Sequence, residues 1–331
     1  MHTTRPRPSG PSRRQILQSA LASTLPLATT IGPAHAAVAL KTLQLVVPAP
    51  PASQPDLIAR WLVEPLARRV GVPGQVLNRP GAAGAIAVDA VLAAAPDSGS
   101  LLLGGLDHVA YSHLNSQRRP LDPLQDFAPV GAVNRDSWLL ATGADLPLRD
   151  VAALVAMAQQ QGPLNYASTG EGSTAHLLAA RLCKRLGIEA QHVPYKDPWM
   201  PDLIGGRIHF VVAPVPVLVG PLRSGRVRAL AALTDARLPM LDAVPSAQEL
   251  GWPDQVFHGG LFLFAPPALA DQAVQLNGWL AETLVQADIV QRYRDASIEP
   301  TPLTLAQTRA AIQQRLQVVD AMRLAVFGRT R

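Results

Sequence analysis

The sequence predicts an α/β protein of two lobes, each a mostly parallel sheet flanked by helices. Three observations predict it. The chain has 331 residues, a comfortable length for two lobes of ordinary size. Strand-like and helix-like stretches alternate along it. Apolar residues make up 48% and charged residues 16%, a balance that excludes a disordered chain. Aromatics are only 5%, so the apolar mass is mostly Ala, Leu and Val, as close contacts between helix and sheet require.

The elements follow in order. Residues 43–47 (Leu-Gln-Leu-Val-Val) read as a buried strand that ends at Pro48. Helical spacing over 57–70 stops at Gly71, and Val76-Leu77 is a short strand before the turn Asn78-Arg79-Pro80-Gly81. Residues 82–95 read as a helix stopped by Pro96-Asp97, and 101–103 as a strand running into Gly104-Gly105. This β-α-β-α-β order implies a parallel sheet with helices on both faces. After a Pro-rich link the pattern resumes with a strand at 138–141, a helix at 150–161 and a strand at 164–167. A Gly/Ser loop then opens a helix that runs to 186. Strands at 208–213 and 227–233 follow, with helical spacing over 271–287 and 305–322. The two units join near residue 138, and the chain crosses back near 258. The expected division is therefore 37–138 with 258–331 as the first lobe and 139–257 as the second. Ligands of such sheets bind at the carboxyl ends of the strands, which between two lobes becomes a cleft.

The net charge of +5 is concentrated at the start of the chain. Residues 1–36 carry Arg5, Arg7, Arg13 and Arg14 and no acid, which leaves the remainder near neutral. A nucleic-acid binder would keep its basic patch in the folded part, so no nucleic-acid partner is expected. Arg13-Arg14 precede Gln15-Ile16-Leu17, a mildly apolar run to Ile31, and Ala34-His35-Ala36. Residues 1–36 thus read as a twin-arginine-type signal peptide cleaved near Ala36-Ala37, with a soluble mature protein in the periplasm. The apolar run is too short and broken to span a bilayer. The alternative is a disordered basic tail on a cytosolic protein. Cys183 is the only cysteine, which excludes an internal disulfide and a thiolate metal cluster. It sits in a helix-like stretch and reads as a small buried hydrophobe.

Two loops could hold a ligand. Residues 48–56 join the first strand to the first helix and contain Pro50, Ala52, Ser53 and Asp56. Ser53 is a good N-cap, and Asp56 completes a capping-box-like pattern. The plain reading is a capped helix start. The functional one adds that helix N–H groups with a partial positive charge suit a carboxylate. Residues 166–176 follow a strand and open another helix, with Ser168, Thr169, Gly170, Ser173, Thr174 and His176. Glycines let backbone approach a ligand, and hydroxyls add donors. The spacing is neither a dinucleotide fingerprint nor a P-loop. Two helix N-termini facing across a cleft could pinch one carboxylate without metal or cofactor.

Several segments together carry a family resemblance: 46–56, Asn78-Arg79-Pro80-Gly81-Ala82-Ala83-Gly84, Pro96-Asp97 leading to 101–104, 126–130, 166–173 with His176, Val193-Pro194-Tyr195-Lys196, 202–206 and 244–251. They run in order over nearly all of 41–331. The chain resembles the Bug-type periplasmic receptors of tripartite tricarboxylate transporters. The resemblance implies a two-lobed periplasmic-binding-protein (Venus-flytrap) fold. It also implies that the two loops grip a small organic acid, a dicarboxylate, amino acid or aromatic acid, for delivery to membrane permease subunits by a monomeric receptor. Tyr195 belongs to the implied site. There are departures. The family has an aromatic and a Gly-Gly pair where Ala49 and Ala52-Ser53 stand, and often an acid where Ala213 stands. The loop Asp197-Pro198-Trp199-Met200-Pro201 is shorter than the family pattern, and Trp199 is expected to line the cleft in its place. The altered residues point to a different acid or a weakened receptor.

Other readings find less support in the residues. His258-Gly259-Gly260 is similar to an esterase oxyanion segment, but the chain has no Gly-x-Ser-x-Gly elbow. Asp107, His108 and His113 could hold a metal; the plain reading is a polar loop at the cleft mouth, with no H-x-x-x-H pair in support. Ser173 with His176 invites a catalytic reading without an evident orienting acid. No cofactor and no catalysis are expected. A ligand-dependent sensor partner would need the same cleft closure and stays open beside transport.

Overall fold

A run of apolar residues with no alternation marks a strand buried on both faces, and the first strand shows the result. In the computed structural model, which describes residues 1–2, 38–110, 121–196 and 198–328, β1 (Leu43–Val47) is an interior strand of a five-stranded sheet. Apart from its first two residues, the expected signal segment lies outside the described residues, as do His113 and Asp197. Residues Ala37–Arg331 form one compact unit.

The first sheet has the order β2-β1-β3-β11-β4, with β2 Gly74–Asn78, β3 Ser100–Gly104, β4 Ala128–Ala132 and β11 Phe262–Ala265. β1 runs parallel to β2 and β3, with Val46 opposite Leu77 and Leu102. β11 arrives from the far half of the chain and runs antiparallel to both β3 and β4. The second sheet is built on β5 (Asn134–Gly143), β6 (Leu164–Ser168), β7 (Ala190–Pro194), β8 (Phe210–Pro214) and β10 (His258–Gly259), in the order β10-β5-β8-β6-β7. β9 (Val227–Ala232) and β12 (Ile298–Pro300) also pair with β5. β6 is parallel to β7 and β8, whereas β5 is antiparallel to β8, β9, β10 and β12. The sheets are therefore more mixed than the β-α-β pattern predicts. The antiparallel members, β11 and β5, are the strands at the passages between the two sheets, where no crossover helix enforces a parallel return.

Side-chain alternation sorts the strands between two covered faces. Leu43, Leu45, Leu101, Leu103 and Leu263 pack in one cluster. Val46, Leu102 and Phe264 join another that also takes in Leu140, Phe210 and Val212 of the second sheet. The opposite face of that sheet, with Leu139, Val211 and Ala213, forms a third. Each fully buried Leu or Phe contributes about 1.5–3 kcal/mol. On the first cluster lie α1 (Gln54–Val70), α8 (Ala273–Leu284) and α9 (Ala287–Asp295), represented by Ile58, Leu280 and Tyr293. Between α1 and α8 the chain also forms α2 (Ala85–Leu92), α3 (Leu106–Ala110), α4 (Val151–Gln161), α5 (Thr174–Leu186), α6 (Met200–Ile204) and α7 (Val215–Arg223). The last helix, α10 (Leu305–Phe327), packs against both β4 of the first sheet and α5 beside the second.

Candidate functional site

The two loops singled out in the sequence face each other across one cavity of about 290 Å³. The first loop supplies Pro50, Ala52, Ser53 and Gln54 to its wall, and the second supplies Ser168, Thr169 and Thr174. A smaller neighbouring cavity of about 210 Å³ takes Gly170, Ser173 and Lys196, and shares Pro50, Asp107, Thr169 and Tyr195 with the larger one.

In the first loop Ser53 has the extended backbone of an N-cap, but its hydroxyl donates to the carbonyl of Pro50 at 2.6 Å and caps nothing. Asp56 turns inward instead. Its carboxylate accepts from the N–H of Ala52 at 2.8 Å and pairs with Arg60 at 2.9 Å. Burial opposes the ionised form, yet Arg60, the Ala52 N–H and Asn78 together hold Asp56 below the ordinary carboxylate range. Asp56 lines neither cavity. Ala52 stands at φ 63, a left-handed conformation that an L-residue adopts at a cost.

The second loop is stitched by its own side chains. Ser168 Oγ lies 2.6 Å from His192 Nε2 and accepts from the N–H of Gly170 at 3.0 Å. Gly170, at φ 139, takes a turn closed to residues with a Cβ. Ser173 Oγ donates to the Gly170 carbonyl at 2.8 Å and accepts from the N–H of His176 at 3.3 Å. The His176 ring accepts through Nδ1 from the N–H of Gly172 at 3.0 Å and stacks on His192 with centroids 3.8 Å apart. Burial, with His192 and Arg323 alongside, pushes His176 down to about 4. Ser173 meets His176 through backbone and not through the imidazole nitrogens, so the pair is no nucleophile and base. His176 lines neither cavity and acts as the brace of the loop.

Asp107, on α3 just after β3, reaches across to the second loop, where its Oδ2 accepts from the N–H of Thr174 at 3.0 Å. Burial would raise this carboxyl; His108, 3.3 Å away, and Thr174 outweigh it and hold the group below its usual range. Tyr195 presents its ring to the cavity while its hydroxyl donates to Asp202 at 2.5 Å. Trp199 lines the larger cavity from the N-cap of α6, and Ala213 does so from β8. Among the described residues, no group of three or more His, Cys, Asp or Glu is placed to hold a metal ion.

Several wall residues are absent from the sequence reading. Trp138, Phe257, Val212 and Val217 supply apolar surface, and Arg315 with Val319 of α10 closes one side. Behind them sits Asp136, 3% exposed, whose Oδ1 accepts from Trp138 Nε1 at 2.8 Å. Its Oδ2 accepts from Asn134 at 2.9 Å and from Gln54. Burial raises the Asp136 carboxyl, against the pull of Gln54, Arg315, Asn134 and Trp138. Gly259 lies so close to this cluster that a Cβ there would stand 2.0 Å from Asp136 Oδ1, so only glycine fits. One signal for α10 is legible in hindsight. Arg315, Val319, Arg323 and Phe327 recur every four residues, and this stripe lines the two cavities in turn.

Residues 58–323 match the family model described as the tripartite tricarboxylate transporter family receptor. The chain belongs to this receptor family. Protein BugT of Bordetella pertussis is 32% identical over 282 residues, 84% of this chain and 86% of BugT. Among solved structures, the family fold recurs in Rpa4515 of R. palustris with adipate, at 28% identity and a TM-score of 0.78, over 85% of this chain and 96% of that one. MatC of Rhodopseudomonas palustris with bound malate follows at 27% identity and a TM-score of 0.75, over 84% and 98%. The two-lobed periplasmic-binding-protein fold expected from the receptor resemblance is thus the fold of this chain. Receptors of this family are periplasmic solute-binding proteins, and among the described residues no helix is long and apolar enough to cross a membrane.

Proposed function

We propose that this receptor captures a small organic carboxylate in the larger cavity, acts as a monomer outside the cytoplasm, and delivers its ligand to a tripartite tricarboxylate-type membrane transporter. The observation that carries the reading is that both loops, Trp199 and Arg315 together wall the larger cavity. Adipate and malate in two relatives of the same fold support an acid as the ligand. We assign residues 37–138 with 258–331 to one lobe and 139–257 to the other, so that closure of the lobes would bury the ligand. Residues 1–36, with Arg13-Arg14 and Ala34-His35-Ala36, are proposed as the export signal. The receptor is not an enzyme on this reading, because Ser173 and His176 are spent on the loop itself.

The test is a thermal-shift screen of the purified chain against dicarboxylates, tricarboxylates, amino acids and aromatic acids. A ligand at about a hundred times its dissociation constant adds roughly 2.7 kcal/mol of stability, an easily read rise in Tm. Folded protein that responds to no acid in the panel would refute the receptor reading.

A further inference from the structure

The helix N-terminus of the second loop is already occupied by one of the chain's own acids. Asp107 lines the cavity and takes the Thr174 N–H at the start of α5, while in the first loop Asp56 takes the N–H of Ala52, before α1 begins, and lines neither cavity. A ligand carboxylate placed at the start of α5 would meet the like charge of Asp107. The open anion site lies elsewhere. Arg315 is the one lysine or arginine among the described residues that line the larger cavity. Its guanidinium sits 5.5 Å from the Phe257 ring centroid and donates to the Gly259 carbonyl at 3.3 Å. A guanidinium offers five N–H donors, so most of its capacity is unspent on described residues. Asp136 is the acid behind it and pulls on it electrostatically, but the hydrogen bonds of Asp136 go to Trp138, Asn134 and Gln54.

Among the described residues the rest of the wall supplies no second lysine or arginine, and its polar members are hydroxyl and amide groups with Asp107 and His108. Trp138, Phe257, Trp199, Val212, Val217 and Val319 present apolar surface. An ionised group buried against them without a partner carries a large desolvation cost. The volume, about 290 Å³, is close to twice the roughly 150 Å³ that accommodates one benzene. It therefore has room for one substituted ring with its acid group. Large aromatic walls favour such a ring through offset and edge-to-face contact.

Resting on the receptor reading above, we propose that the ligand is an aromatic monocarboxylate, its acid group on Arg315 and its ring against Trp138, Phe257 and Trp199. Binding of this class differs in charge count from binding of a dicarboxylate.

The experiment is isothermal titration of the purified chain with benzoate, phenylacetate, adipate, malate and the uncharged isostere benzamide. The expected result is that benzoate or phenylacetate binds at least tenfold more tightly than adipate and malate, and that benzamide binds at least tenfold more weakly than benzoate. Arg315→Gln is expected to weaken arylcarboxylate binding at least tenfold, with folding checked by its thermal transition. If that variant does not fold, the benzoate and benzamide pair on the wild-type chain decides the role of the charge. Tighter binding of adipate or malate than of either aryl acid overturns the inference and leaves the receptor reading standing. Equal binding of benzoate and benzamide overturns the role of Arg315. Silence of folded protein toward every acid overturns both.

Discussion

The carboxylate of Asp107 accepts a hydrogen bond from the backbone N–H of Thr174, 67 residues further along the chain, at 3.0 Å. Asp107 follows the first sheet and Thr174 opens a helix beside the second, so this bond ties the two halves of the cavity wall together. It also fills the helix N-terminus with an internal anion, where the dipole and the free N–H favour negative charge. Asp107→Ala is expected to cost about 0.5–2 kcal/mol, as loss of a helix cap does. The same substitution is expected to tighten adipate binding, because the vacated N–H becomes available to a second ligand carboxylate. Urea denaturation reads the first effect and titration the second. Unchanged stability would mean that the bond is made equally well by water.

Trp199, at the N-cap of α6, lines the cavity and is half-buried against the third cluster. Trp199→Ala is expected to reduce ligand affinity at least tenfold, with a change in Tm of only a few degrees in the ligand-free protein. A variant that binds as tightly as wild type would remove Trp199 from the site.

Ala52 holds a left-handed backbone at φ 63 in the first loop, where Cβ clashes with the carbonyl that follows. Glycine adopts that conformation freely but loses more entropy on folding. The balance predicts that Ala52→Gly stabilises the protein by about 0.5–1 kcal/mol, read as a higher urea midpoint at unchanged slope. A lower midpoint would show that the Ala52 methyl packs usefully against its surroundings.

His176 sets an acid limit on stability. Its folded value, about 4, lies below its ordinary 6.5. Above about pH 6.5 the ring is neutral in both folded and unfolded chains and contributes no pH dependence. Between about 6.5 and 4 the unfolded chain takes up a proton that the folded chain refuses, so stability falls as pH falls, by at most about 1.4 kcal/mol per pH unit from this one group. His192 and His209 are also lowered, by burial first, and steepen the slope. His176→Asn, whose Oδ1 can accept the Gly172 N–H in place of Nδ1, is expected to flatten the fall in Tm across this range. A slope identical to wild type would assign the acid sensitivity to the other histidines.

The buried strands were legible because their residues are apolar on both faces, as in Leu101-Leu102-Leu103, which packs Leu102 into one cluster and its neighbours into another. Helices with clear amphipathic spacing, such as α1 and α5, were legible too. Others were hidden by local propensity. α7 carries Pro216 and Pro221 and three valines, yet burial of Val215, Leu218 and Val219 makes it helical. β11 is only four residues long, and nothing local reveals that Phe262 pairs with both Gly104 and Ala132. Of the candidate site, the two ligand loops came from local chain chemistry and Trp199 from a departure from the family pattern, and the structure gathers most of these residues around the cavity.

By itself the sequence determined the alternation of buried strands and amphipathic helices, the two glycine- and serine-bearing loops, and the family pattern, because periodicity, capping and turn chemistry act between residues near in the chain. Tertiary structure alone decided that Asp107 caps α5, that Asp136 collects Gln54, Asn134 and Trp138, and that Arg315 meets Phe257 and Gly259 at the cavity wall. Those contacts join residues as many as 82 positions apart, and whether a charge is spent or left open depends on which distant partner the fold brings to it.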